Sequence, residues 1–141
     1  MILNPNMGDE NRTIEVLRKA AEIVDAGWCQ GYMSRPRNAA AEAAAAVGGV
    51  IAMPLDKDYH PDRLYCASGA IEAASSCAAE RGAAERVLAA YIVSEERTHP
   101  SRYECYDDST FVQKWNDGAY QKAEWVATYL REAADEVSND N

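Results

Sequence analysis

Apolar residues recur every three or four positions near both ends of this chain of 141 residues, and this spacing restricts the fold more than any other feature. One stripe begins at Ile14 and ends at Trp28, and another begins at Ala123 and ends at Val137. Such spacing places apolar side chains on one face of a helix. The pattern therefore predicts amphipathic helices that pack together in a mainly all-α domain.

Residues that start and stop helices divide the chain into about five helices. The first is predicted over residues 12–26, with Asn11 or Thr13 as its cap and Gly27 as its end. The other four are predicted from Ser68 to about Arg81 with Gly82 as the stop, from Ala83 to Ser94, from Asp108 or Ser109 to Trp115, and from Ala119 to about Val137. Short connections between them favour neighbouring helices in a single bundle.

Residues 33–62 break this pattern with prolines and paired glycines, which predicts an irregular insertion. Within it, the alanine-rich run from Ala39 to Val47 favours a short helix capped by Asn38, because alanine is the best helix former. Val50 to Met53 is predicted to be a short extended segment.

The length fits one domain over residues 1–141, which is enough to bury a core without disulfides or metals. Residues 1–10 are short and polar, so they are predicted to form a flexible leader, and residues 138–141 a frayed tail. No apolar run approaches the roughly 20 residues of a membrane span.

The chain has a net charge of −9, and most of the excess lies in its second half. Residues 1–70 contain seven basic and nine acidic side chains, whereas residues 71–141 contain seven and fourteen. Such a surface repels phosphates and anionic lipids, which argues against direct binding of nucleic acid or membrane. It suits a basic protein partner or imitation of nucleic acid, although acidity most often serves solubility.

The cysteines indicate a reduced, cytoplasmic protein. All four are far apart, no CxxC motif occurs, and no segment resembles a signal peptide. Cys29, Cys66 and His60 offer ligand types that zinc prefers, but they lack the paired spacing of a structural site. The sequence therefore predicts neither a metal nor another cofactor.

Three short phrases lie where predicted elements meet: residues 27–31 (Gly-Trp-Cys-Gln-Gly), 65–71 (Tyr-Cys-Ala-Ser-Gly-Ala-Ile) and 115–118 (Trp-Asn-Asp-Gly). Aromatic and carboxamide side chains in loops serve binding, but they also fasten the corners of small helical domains. The candidate ligand-binding residues are Trp28, Gln30, Tyr32, Tyr65, Trp115, Asn116 and Asp117. An open cleft would favour binding, and a sealed core would favour packing.

Cys66 is a weak candidate nucleophile. It precedes the predicted helix that begins at Ser68, and a helix N-terminus lowers the pKa of a thiol. His60 or His99 would supply a base, oriented by Asn116 or its neighbour as in a Cys-His-Asn arrangement. The commoner role of such a cysteine is packing as a small buried thiol.

The order of the three phrases resembles an uncharacterised domain family found in actinobacteria and their bacteriophages. The matching residues are Gly27 to Gly31, Cys66 to Ile71, Ala73 and Ala74, and Trp115 to Asp117. The family carries no established activity. The resemblance implies a small, helical, phage-associated accessory protein.

Together these features predict a small acidic protein that binds a host protein or a small ligand and is not an enzyme. One alternative is a cysteine-dependent enzyme centred on Cys66. Another is an acidic mimic of nucleic acid or an anti-defence inhibitor, which requires rows of carboxylates at phosphate-like spacing. The candidates for such rows are Glu80, Glu85, Glu95, Glu96, Glu104, Asp107 and Asp108.

Overall fold

The computed structural model describes residues 5–38, 43, 46–47, 50–51, 59–96 and 106–139. Its helices are α1 (Pro5–Ala26), α2 (Ala67–Ala74), α3 (Ala78–Glu96), α4 (Asp108–Asn116) and α5 (Ala123–Asn139). Its strands are β1 (Ser34–Pro36), β2 (Ala46–Val47), β3 (Val50–Ile51) and β4 (Arg63–Tyr65). The prediction of a mainly all-α domain with about five helices is confirmed.

The core lies around α1, which packs most extensively on α5 and also contacts α2 and α3. Leu17 of α1, Ile71 of α2, Leu88 of α3 and Leu130 of α5 are fully buried there. Burial of a side chain of this kind stabilises a fold by about 1.5–3 kcal/mol. The apolar stripes seen in the sequence are therefore the faces that join the helices.

The starts of α1 and α5 differ from the prediction. Helix α1 begins at Pro5, so residues 5–10 of the expected leader are helical. Proline suits the first turn of a helix because its missing N–H has no partner there in any case. Helix α5 begins at Ala123, four residues later than expected, because Gly118 accepts a hydrogen bond from the backbone N–H of Gln121 and prolongs the turn.

The break between α2 and α3 falls at Ser75, so the prediction that Gly82 stops the helix is wrong. The Ser75 hydroxyl donates to the carbonyl of Ile71 at 2.6 Å, and its backbone N–H donates to the carbonyl of Glu72 at 3.1 Å. Serine competes with helical bonding in this way. Gly82 lies inside α3, where the missing side chain costs stability but does not end the helix.

The central segment contains two short antiparallel pairs, β1 with β4 and β2 with β3. The predicted extended segment is confirmed at Val50–Ile51. Its partner strand is Ala46–Val47, which corrects the end of the predicted alanine-rich helix, because β-branched valines favour pairing. Residues 39–42 and 44–45 lie outside the described part.

Strand β4 connects the first two phrases of the sequence. The backbone N–H of Tyr65 donates to the carbonyl of Gly27 at 2.9 Å, and that of Cys29 donates to the carbonyl of Tyr65 at 3.2 Å. Because β4 pairs with β1 on its other side, it holds residues 27–29 and the start of α2 together.

Candidate functional site

Asn116, the last residue of α4, joins the three phrases at one point. Its side-chain oxygen accepts hydrogen bonds from the indole Nε1 of Trp28 at 2.7 Å and from the backbone N–H of Ala67 at 2.9 Å. Its side-chain nitrogen donates to the carbonyl of Cys29 at 3.1 Å and to the carboxylate of Asp117 at 3.0 Å. Asn116 is fully buried, and this set of contacts is called the Asn116 joint below.

A second layer of hydrogen bonds holds the 30–32 loop against the end of α4. The side-chain nitrogen of Gln30 donates to the carbonyls of Asn116 at 3.0 Å and of Gly118 at 2.9 Å. The backbone N–H of Gly31 donates to the carboxylate of Asp117 at 2.9 Å. Gly31 has a φ of 82°, a conformation that glycine adopts without strain.

The start of α2 packs directly on the backbone of Met33, which follows the 30–32 loop. Cys66 is the N-cap of α2, and its sulfur accepts from the backbone N–H of Gly69 at 3.3 Å. A Cβ placed on Gly69 would lie 1.9 Å from the carbonyl oxygen of Met33. Only a residue without a side chain permits this approach, so the glycine of the second phrase has a packing role.

The structure brings together Trp28, Gln30, Asn116 and Asp117 of the predicted ligand-binding set. Within the described residues, no buried side-chain nitrogen or oxygen lacks a hydrogen-bond partner. The buried polar atoms of the joint are therefore all bonded within the protein, whereas Gln30 and Asp117 at its edge are exposed.

The side chains of Tyr65 and Trp115 make their hydrogen bonds outside the joint. Tyr65 is buried, and its hydroxyl accepts from the backbone N–H of His60 at 2.8 Å. Trp115 stacks on Tyr129 with 5.3 Å between ring centroids, and its indole donates to Glu96 at 3.0 Å. Both side chains therefore serve packing and hydrogen bonding within the protein.

Tyr32 is the member of the predicted set with an open aromatic ring, with 63% of its surface exposed. Two exposed aromatics that the sequence analysis missed, Tyr120 and Trp125, are 88% and 47% exposed. Trp125 follows Ala123 by two positions and so lies off the apolar stripe of α5. This spacing in the sequence could have predicted that Trp125 is exposed. The Lys122 ammonium lies 5.1 Å from the centre of the Trp125 ring.

Cys66 lacks the electrostatics of a nucleophile. Burial raises the pKa of the Cys66 thiol to about 11, although the hydrogen bond from Gly69 at the helix N-terminus acts in the opposite direction. Burial likewise raises the pKa of the Cys29 thiol to about 12. Both groups are therefore neutral thiols near pH 7, where a nucleophile would need to be a thiolate.

We expect Cys77 to react with maleimide at neutral pH much faster than Cys29 or Cys66, because it is exposed and they are buried. Mass spectrometry of peptides from the folded protein measures each rate, and denatured protein gives the reference. Cys105 lies outside the described residues, so a Cys105→Ser background removes its contribution. Labelling of Cys66 at the rate of a free peptide thiol would contradict the assignment of a neutral buried thiol.

A polar cluster connects α2, α3 and α4 beside the joint. The hydroxyl of Ser68 donates to the buried carboxylate of Glu85 at 2.9 Å, and the same carboxylate accepts from Nε of Arg81 at 2.8 Å. Arg81 also pairs with Glu72 and donates to Ser109 at 3.3 Å. The buried charge is thus paired and hydrogen-bonded, as burial of a carboxylate requires.

A cleft of about 540 Å³ lies between α1 and the α2–α3 connection, away from the predicted ligand-binding residues. Arg12 and Arg81 line it, but Arg12 pairs with Glu15 and Glu80, and Arg81 pairs with the carboxylates described above. These arginines are therefore already neutralised by the chain itself.

Metal-binding side chains are not grouped in the part of the chain that the structure describes. Among the described residues, no three histidine, cysteine, aspartate or glutamate side chains are arranged to hold an ion. In the same part of the chain, no helix is long and apolar enough to cross a membrane.

These observations define a small, mainly helical protein in which one buried asparagine fastens three separate segments. The chain belongs to a family of unknown function (DUF6197), whose model matches residues 9–136. The predicted membership of an uncharacterised domain family is thereby confirmed. No curated protein and no solved structure matches the chain.

Proposed function

We propose that this protein is a phage-associated accessory protein that acts by binding a host protein and not by catalysis. The observation that carries this proposal is the exposure of Tyr32 and Tyr120, which lie within two residues of segments held at the Asn116 joint, and of Trp125 at the start of α5. These three residues are called the aromatic loop surface below.

The joint supports the aromatic loop surface by fixing the backbone on which it stands. Tyr32 follows directly on Gln30 and Gly31, which bind the end of α4, and Tyr120 lies two residues beyond Gly118. Ordering a loop before binding removes part of the entropy cost of association. Aromatic side chains are enriched at protein interfaces because they bury a large area with few rotatable bonds.

The closed joint makes a small ligand the weaker candidate. Trp28 and Asn116 use their side-chain polar atoms on one another and on the backbone, and one oxygen of Asp117 accepts from Asn116 and Gly31. A small-molecule site needs concave walls and polar groups directed into them. We therefore assign the phrase residues to positioning the aromatic loop surface and Tyr32 to contact with the partner.

The two alternatives are less well supported by the described residues. A cysteine enzyme needs a thiolate, but burial raises the pKa of the Cys66 thiol to about 11. A nucleic-acid mimic needs carboxylates free at phosphate spacing. Glu80 and Glu85 are instead paired with arginines, and Asp107 accepts from the backbone N–H of Thr110 at 2.7 Å as the cap of α4.

Site-specific photo-crosslinking in the native host tests the proposal. A benzophenone amino acid at position 32 or 120 is expected to yield a discrete adduct with one host protein, identified by mass spectrometry. The same probe at Glu22, an exposed residue of α1, is the matched control and should not yield that adduct.

Two results would contradict the proposal. One is that the probe at Glu22 gives the same adducts as the probes at Tyr32 and Tyr120. The other is that native mass spectrometry finds a bound metabolite that is lost in the Tyr32→Ser variant, which would place a small ligand at this surface.

A further inference from the structure

We propose that a second surface of this protein binds a lysine- or arginine-rich segment of a partner protein. This surface is called the acidic–aromatic surface and lies where the end of α3 meets α4 and α5. Its members are Tyr91, Glu95, Glu96, Trp115, Tyr129, Glu132 and Glu136. The inference rests on the proposed role in protein binding, but it uses none of the residues of the aromatic loop surface.

Three aromatic rings form the base of this surface. Trp115 and Tyr129 stack with an interplanar angle of 27°, and Tyr91 meets Tyr129 edge to face with 5.5 Å between centroids. Trp115 and Tyr129 are half-buried, so each keeps part of its ring at the surface. Faces of tryptophan and tyrosine attract ammonium and guanidinium groups.

Carboxylates surround these rings and are held by them. Glu96 accepts from the indole of Trp115 at 3.0 Å, and Glu132 accepts from the hydroxyl of Tyr91. Burial, the hydrogen bond to Glu132 and the charges of Glu132, Glu95 and Glu136 raise the pKa of Tyr91. Glu96 and Glu132 are therefore bonded to these rings, and Glu95 and Glu136 lie near enough for their charges to act on Tyr91.

No lysine or arginine in the described part of the chain forms an ion pair with any of these four glutamates. Elsewhere the same helices pair their carboxylates with cations. The arginines that do so are Arg12, Arg18, Arg81 and Arg86. The acidic–aromatic surface thus keeps uncompensated negative charge, which like-charge repulsion makes costly.

The chemistry of the occupant follows from this combination of groups. A cationic side chain would gain attraction from the carboxylates and from the ring faces, whereas an anion or an apolar side chain would gain neither. Charges arranged in this way also raise the rate of encounter with a basic partner. A segment with several lysines or arginines fits the four glutamates best.

A titration with a decalysine peptide, followed by NMR of the tryptophan indole N–H signals, tests the inference. The Trp115 signal is expected to shift because its indole donates to Glu96, and the shift should weaken as salt is added. The Trp28 signal serves as an internal control because its indole is bonded to Asn116. A decaglutamate peptide should shift neither signal.

Matched charge variants assign the effect to this surface. The double variant Glu132→Gln/Glu136→Gln is expected to bind decalysine about fivefold more weakly, which corresponds to about 1 kcal/mol. The control Glu15→Gln/Glu22→Gln removes the same charge from α1 and should change the affinity less than about twofold. Equal weakening in both variants would overturn the inference, since it would show only a general attraction to an acidic protein.

Absence of a Trp115 shift would also overturn the inference, whereas the crosslinks from positions 32 and 120 would be unaffected.

A further experiment tests whether arginines of this chain itself occupy the acidic–aromatic surface. Arg97 and Arg102 lie outside the described residues. If decalysine shifts Trp115 in the Arg97→Gln/Arg102→Gln variant and not in the unchanged protein, the chain fills the surface itself and an external partner is excluded.

Discussion

Replacing Asn116 with alanine is expected to lower the free energy of unfolding by about 3–5 kcal/mol, a large part of the stability of a domain of this size. The substitution removes the acceptor for Trp28 and Ala67 and the donor to Cys29. Each buried polar group left without a partner costs about 1–3 kcal/mol. Loss of the bond to Ala67 also leaves the first turn of α2 without one of its caps.

Urea denaturation followed by circular dichroism measures this change. Asn11→Ala is the matched control, because it makes the same chemical change at an exposed position of α1. We expect the control to unfold at the same urea concentration as the unchanged protein, or slightly higher, since alanine favours helix. A loss below about 1 kcal/mol for Asn116→Ala would show that water replaces these hydrogen bonds and that the joint is open.

Gly69→Ala is expected to destabilise the protein by about 2–4 kcal/mol, although alanine is the better helix former. The new methyl group would lie 1.9 Å from the carbonyl oxygen of Met33, and neither backbone can give way cheaply. The backbone at Met33 and the 30–32 loop before it would have to move away from α2, which also strains the hydrogen bonds of the joint. We therefore expect the Trp28 indole N–H to become less protected from hydrogen exchange.

Gly82→Ala makes the same chemical change, but we expect it to stabilise the protein. Gly82 lies inside α3 with no atom within 4 Å of the added methyl group, so we expect stabilisation of about 0.5–1 kcal/mol. Thermal unfolding of both variants gives the comparison. If Gly69→Ala were as stable as Gly82→Ala, the close packing of α2 on Met33 would be refuted.

The helices were predictable because their signal is local. The stripe from Ile14 to Val24 and the one from Val126 to Ala134 are buried as the spacing of three and four indicated. Local rules failed at Gly82, which lies inside α3 beside Arg81, a residue that bonds to Glu72 of α2 and Ser109 of α4. They also failed at Ala46–Val47, because the pairing with Val50–Ile51 outweighs helix propensity.

The convergence of the three phrases was predictable, but the nature of the site was not. Their positions at element ends indicated one shared location, and the hydrogen bonds of Asn116 join all three. Whether such residues face a ligand or each other depends on distances between parts of the chain more than 80 positions apart. For Cys66 too, burial decides between a packing role and a reactive role, because its position at a helix start alone suggested a reactive thiol.

The packing of α1 on α5 has a consequence for synthesis on the ribosome. Helix α1, whose apolar stripe includes the buried Leu17 and Val24, packs most extensively on α5, and the indole of Trp28 bonds to Asn116, which is made 88 residues later. The emerging chain therefore holds an apolar stripe of α1 without its final cover for most of its translation. Folding is expected to be completed only after α5 has left the exit tunnel, so this stripe is where a chaperone would first engage the nascent chain.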